Sequence, residues 1–239
     1  MQTYLVLVHS PLVGPLTWSL VASELQRRHT ETIVPALDDD PKNRAPFWEQ
    51  HVESVKQVLD AIPHDAEIAL IGHSGAGPLL PAIGQAANHP IASYIFVDAG
   101  IPVDGLSRLE LMAHEDPDFA RSLVQDLAEG GTFPEWSEDD LASIVPDPQV
   151  RRELVADLRP RGLDFFSEPI PVFAGWPDAP CGYLQFSSAY DEPARRAQEA
   201  GWPIKDLPAA HFHMLVDPLA VADALLDLIQ SMDSPSIST

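Results

Sequence analysis

Four short apolar runs, each followed by residues at helical spacing, constrain this chain more than any other feature of its sequence. Tyr4 to Val8 is apolar without alternation, as a central parallel strand covered on both faces requires. Trp18, Val21 and Leu25 then recur at helical spacing, and Thr32-Ile33-Val34 starts a second, β-branched strand. Trp48, Val52, Val55, Leu59 and Ile62 mark one face of a longer helix that Pro63 ends, before a third strand from Glu67 to Ile71. A helix built on Leu79, Leu80 and Ile83 leads to a fourth strand, Ile91 to Val97. Strand and helix in alternation predict an α/β fold with a mostly parallel sheet flanked by helices.

The pattern changes after residue 101. From 102 to 180 the chain carries acids, prolines and short amphipathic pieces at Leu106 to Met112, Phe119 to Leu127 and Val150 to Leu158, with no convincing strand, and reads as a helical lid inserted into the core. Phe133, Trp136, Phe165, Phe166, Phe173 and Trp176 could line a pocket under it or bury one another. The core is then 1–101 and 181–231: strands at Tyr183 to Phe186 and Ile204 to Leu207, helices at Pro193 to Ala200 and Val221 to Ile229, and a flexible tail over 232–239. Asp38-Asp39-Asp40 reads as a solvated loop.

Charge narrows the partners. With 36 acids against 14 bases the formal net charge is −22, which repels nucleic acid and anionic membrane surfaces, so the expected ligand is a small molecule taken from solution. A homodimer is compatible with such a chain. No apolar run is long enough to span a bilayer, the N-terminus lacks the features of a secretory signal, and Cys181 is the single cysteine; the expected location is cytoplasmic.

The chemistry concentrates at Gly72-His73-Ser74-Gly75-Ala76-Gly77, between a buried strand and a helix. Small residues on both sides of Ser74 allow a sharp turn that lifts its hydroxyl to the tip. No lysine follows, so a phosphate-binding loop does not fit. A serine hydroxyl needs a base and a group that orients the base. His211 supplies the base, on the loop before the last helix; His213 is read as a bystander. The segment after His211-Phe212-His213 lacks the Asp-His continuation of a binuclear zinc motif, so neither metal nor cofactor is expected.

On the Ser74 turn and the segment His211 to Pro218, the chain resembles the α/β-hydrolase superfamily, especially its small esterase-like serine hydrolases. The resemblance covers most of the chain and leaves the insertion unmatched. It implies an order of nucleophile, acid, histidine, with the acid on the loop after the strand that follows the lid. Asp191 satisfies that order, with Glu192 as its neighbour; Asp98 fits a minority arrangement, and Asp178 is a weaker third. The resemblance also places one oxyanion donor at the amide of Gly75 and another near the end of the first strand, where the sequence reads His9-Ser10-Pro11. Pro11 has no N–H, leaving Leu12 or the Ser10 hydroxyl for that role, or a chemistry that needs less oxyanion stabilisation. His73, Phe133 and Trp136 are candidate substrate contacts. The implied activity is cleavage of a carboxylic ester or thioester of a small, largely apolar metabolite through an acyl-enzyme, with non-hydrolytic chemistry (lyase, cyclase or acyltransferase) as the alternative.

Overall fold

The computed structural model describes residues 2–40 and 42–233. Its frame is a six-stranded sheet in the order β2-β1-β3-β4-β5-β6, with every neighbouring pair parallel. The strands are β1 (Thr3–Val8), β2 (Thr32–Ile33), β3 (Glu67–His73), β4 (Ile91–Val97), β5 (Cys181–Gln185) and β6 (Ile204–Asp206). Side chains alternate across the pleat. Leu5 and Leu7 therefore enter one core with α1 (Leu16–Arg27) and α9 (Pro218–Asp233), while Val6 and Val8 enter the opposite one with α2 (Phe47–Leu59), α3 (Leu80–Ala86) and α8 (Asp191–Glu199). This two-sided burial is why the strands read as unbroken apolar runs. Each fully buried Leu, Ile or Val contributes about 1.5–3 kcal/mol of transfer free energy.

Trp18 is locked by a hydrogen bond from its indole N–H to the Val8 carbonyl (3.1 Å). Pairing of β3 with β4 carries a bulge: Ile68 faces Ile91, Ala69 faces Ser93, and Ala92 is the extra residue. From there the register runs unbroken to His73 opposite Val97.

Between β4 and β5 the chain folds into α4 (Arg108–Glu115), α5 (Pro117–Ala128), α6 (Pro148–Ala156) and α7 (Leu163–Ser167). Their starts have local causes. Ser107 and Glu110 form a capping box, while the carboxylates of Asp116 and Asp147 accept from the amides that open α5 and α6. Asp39 is not a solvated loop acid: its carboxylate accepts both Arg161 nitrogens (2.8 and 2.6 Å) and meets His51 Nε2 at 2.9 Å, tying the inserted segment to the core. Glu168 adds a second tie, accepting from Arg108 and from the Phe47 and Trp48 amides that begin α2. Of the expected tail, residues 232 and 233 continue α9, and 234–239 lie outside the described residues. Among the described residues no helix is long and apolar enough to cross a membrane.

Candidate active site

The site lies at the carboxyl edge of the sheet, where ligands of open parallel sheets bind. Ser74 and Asp98 are each the first residue past the rung that pairs His73 with Val97, and both hold left-handed backbone (φ 56° and 43°). Such a conformation costs a non-glycine residue on the order of 1–3 kcal/mol and projects the side chain away from the strand line. After Ser74 the chain enters a 3₁₀ turn (Ser74–Leu79) before α3. Ala76 is fully buried, and Gly77 is the residue that cannot carry a side chain: a Cβ there would lie 2.3 Å from the Gly100 carbonyl oxygen. The close approach expected of a small residue two past the serine is thus met one position later.

His211 sits on the loop after β6 and offers Nδ1 to Asp98 Oδ2 at 2.9 Å. Asp98 is fully buried and completely satisfied, since Oδ1 accepts the amides of Phe186 (2.8 Å) and Ser187 (2.9 Å) and Oδ2 also accepts the Ser187 hydroxyl (2.7 Å). A carboxylate held this way fixes the imidazole with its proton on Nδ1. Asp191, the first choice from sequence, is elsewhere engaged. It is the opening residue of α8 rather than a loop residue, and its carboxylate takes the Gln185 amide (2.6 Å). Glu192 pairs with Arg195, and Asp178 accepts the Tyr94 hydroxyl (2.9 Å). The acid beside His211 is Asp98.

Ser74 Oγ and His211 line one cavity of about 390 Å³ together with Gly75, Leu12, Phe133 and Trp136. In this structure the Ser74 hydroxyl meets the Tyr190 hydroxyl at 3.2 Å, and the Tyr190 ring stacks on the His211 imidazole with centroids 5.1 Å apart. Burial pushes the Tyr190 phenol far up, so it stays protonated. Sequence reasoning passed over Tyr190; its place just before Asp191, in the segment searched for the acid, was the available signal.

His73, expected to contact substrate, is fully buried behind the site; its Nε2 meets the His211 carbonyl at 3.0 Å, and burial holds it neutral. It braces the base's loop and takes no part in the cavity wall. Ser10 is buried too, and its Oγ accepts the Leu12 amide at 3.3 Å, so the two candidates for the second donor are engaged with each other. His9 is a structural histidine, with Nδ1 on the Ser10 carbonyl and Nε2 accepting the Leu37 amide, and burial pushes it down to about 4. A larger, open groove of about 990 Å³ beside α2 contains neither Ser74 nor His211. Among the described residues no His, Cys, Asp and Glu cluster is arranged to hold a metal ion.

The model of the alpha/beta hydrolase family matches residues 5–224, and the chain belongs to that family. Solved structures agree on the fold. An extracellular alpha/beta-hydrolase from a Paenibacillus species is 18% identical, with a TM-score of 0.74, over 95% of this chain and 99% of that one. Tomato methylketone synthase I in complex with 2-tridecanone is 16% identical at a TM-score of 0.72, over 98% and 100%. A pyrethroid hydrolase from Sphingobium faniae is 16% identical at 0.71, over 97% and 98%. No curated protein matches the chain.

Proposed function

We propose that this chain hydrolyses a carboxylic ester or thioester of a small, largely apolar metabolite through an acyl-enzyme. The contact between His211 Nδ1 and Asp98 Oδ2, with Ser74 on the wall of the same cavity, carries the reading. Ser74 leaves Tyr190, passes its proton to His211 Nε2, and forms a bond to the acyl carbon as the carbonyl electrons move onto oxygen. The Gly75 amide, in the first turn of the 3₁₀ segment where no intrahelical acceptor exists, supports the oxyanion. Collapse breaks the acyl–oxygen or acyl–sulfur bond, and the leaving group departs with the proton from His211. Water, deprotonated by the same imidazole, then frees Ser74. Asp98 holds the imidazole in place throughout.

Non-hydrolytic chemistry stands as the second reading, because Pro11 has no N–H and the Leu12 amide is turned to Ser10 Oγ. Removal of one oxyanion donor typically costs about 10²–10³ in turnover. Incubation with a fluorophosphonate and with short-chain aryl esters separates the two. Hydrolysis and labelling, both lost in Ser74→Ala and His211→Ala, are the expected result. Labelling without ester turnover would favour the second reading, and absence of both from the unaltered protein would end the serine-nucleophile proposal.

A further inference from the structure

The cavity that Ser74 and His211 line also carries a carboxylate that the hydrolytic scheme leaves unused. Glu115 ends α4, lines the cavity, and rests against Gly100, whose hypothetical Cβ would lie 3.1 Å from Oε1. Oε1 is buried without a hydrogen-bond partner. The groups around it do not compensate. Arg196 on α8 forms no ion pair with it and points instead to the Ile101 carbonyl (3.5 Å); Glu192 on α8 adds repulsion; Asp116 is occupied in capping α5. Tyr183 and Tyr190, also close, are held protonated by burial. Desolvation accordingly pushes Glu115 up to about 7, with Arg196 pulling it down and Glu192 pushing it up.

An unpaired carboxylate oxygen in a largely apolar cavity is unfavourable unless a ligand supplies its partner. Phe119, Phe133, Trp136 and Phe166 line the same space, together with Leu111, Met112, Asp116 and the Arg108 side chain. Ring faces attract cations and give neutral hydrogen-bond donors much less. Phe165 already carries one, the Arg108 guanidinium 4.0 Å from its centroid, whose Nη1 pairs with Glu168 at 2.9 Å while Nε and Nη2 are buried without a hydrogen-bond partner. Nothing equivalent balances Glu115, and the net charge of −22 raises the local concentration of cations.

We propose that the cavity is selective for esters bearing an organic ammonium group, with Glu115 as counter-ion and the surrounding rings as its walls. The proposal rests on the ester-hydrolase reading for the word ester, and on the cavity alone for the cation.

Two esters that differ only in charge test it: benzoylcholine and its carbon isostere, 3,3-dimethylbutyl benzoate. Binding is measured by calorimetry to Ser74→Ala protein, so that no turnover is required. Benzoylcholine is expected to bind about tenfold or more tightly at pH 8.5. The preference should shrink below pH 6 as Glu115 takes up its proton, disappear in Ser74→Ala/Glu115→Gln, and return in part with aspartate at 115. The pH series needs no change at 115, so it stands even if that double variant misfolds, and it is repeated in Ser74→Ala/His211→Ala because the imidazole lines the same cavity. Equal affinity for the two esters, detectable binding of neither, or a preference indifferent to Glu115→Gln and to pH would overturn the proposal. A charge preference in binding without hydrolysis of either ester by the unaltered protein would leave the cation site intact and remove the hydrolase reading instead.

Discussion

Two carboxylates, one behind a cavity and one on its wall, are treated in opposite ways. At the floor of the site, where the sheet ends and behind the lining residues Ser187 and His211, Asp98 is fully buried and receives two amides, a hydroxyl and an imidazole. On its wall, at the end of α4, Glu115 keeps a buried oxygen with no donor. The amides of Phe186 and Ser187, just past the end of β5, turn to Asp98, so the floor satisfies a charge from within the fold. Glu115 closes α4, where a helix leaves carbonyls rather than amides free. An acid at such an end is left unfinished, and an unfinished group is where a ligand acts.

Asp98→Asn should break the floor hardest. Turnover of an aryl ester is expected to fall about 10³–10⁴-fold, since the amide favours the wrong imidazole tautomer, while Asp191→Asn changes it less than about threefold. Steady-state kinetics on the two variants decide the matter; a larger loss at Asp191 would return the acid to the position the sequence favoured. Core truncation extends the contrast to stability. Phe96→Ala, beneath the sheet, should cost about 3–5 kcal/mol in urea denaturation, and Phe119→Ala, 40% exposed at the insert's surface, less than about 1 kcal/mol.

Glu115 offers a sharper comparison through pH. Its carboxyl is raised from 4.5 to about 7 in the folded state, so between those values the folded protein binds more protons than the unfolded chain, and the residue lowers stability as pH rises through that window. Glu115→Gln should therefore raise stability at pH 8 by about 1–3 kcal/mol and change it little near pH 4. Thermal melts at the two pH values measure this, and a gain independent of pH would contradict the assignment. The smallest effect belongs to Tyr190→Phe. Freed from a hydrogen bond with a net value of about 0.5–1.5 kcal/mol, Ser74 should react with a fluorophosphonate roughly two- to tenfold faster. A slower reaction would make the phenol a participant rather than a partner at rest.

Much of the core was legible because two-sided burial leaves a simple trace. Ile91–Val97 is a strand with the bounds its apolar run implies, and β3 outruns its expected end by two residues because Gly72 and His73 continue the ladder. The Ser74 turn and the late histidine were legible for the same reason: both adjoin elements that periodicity marks. The acid was not, because the choice between Asp98 and Asp191 depends on which loop amides converge, and sequence separation does not encode convergence. His73 was misjudged by adjacency to Ser74, since neighbours along a strand point to opposite faces. Glu115 escaped notice because the inserted segment has no period to read, and Tyr190 because it ends a short turn after β5 (Ser188–Tyr190) that is too brief to show one.

The extra residue Ala92 has a reach beyond its own rung. By absorbing one position at the start of β4, it advances the ladder so that Ser74 and Asp98 leave the sheet abreast, roughly 17 Å downstream. A strand meters distance as a ruler does, and here its zero mark is set by an irregularity remote from the reaction. Adding or losing a residue in β4 after that point would move Asp98 by a whole step and turn its carboxylate toward the opposite layer, parting it from His211 while Ser74, His211 and Asp98 all remained in the chain.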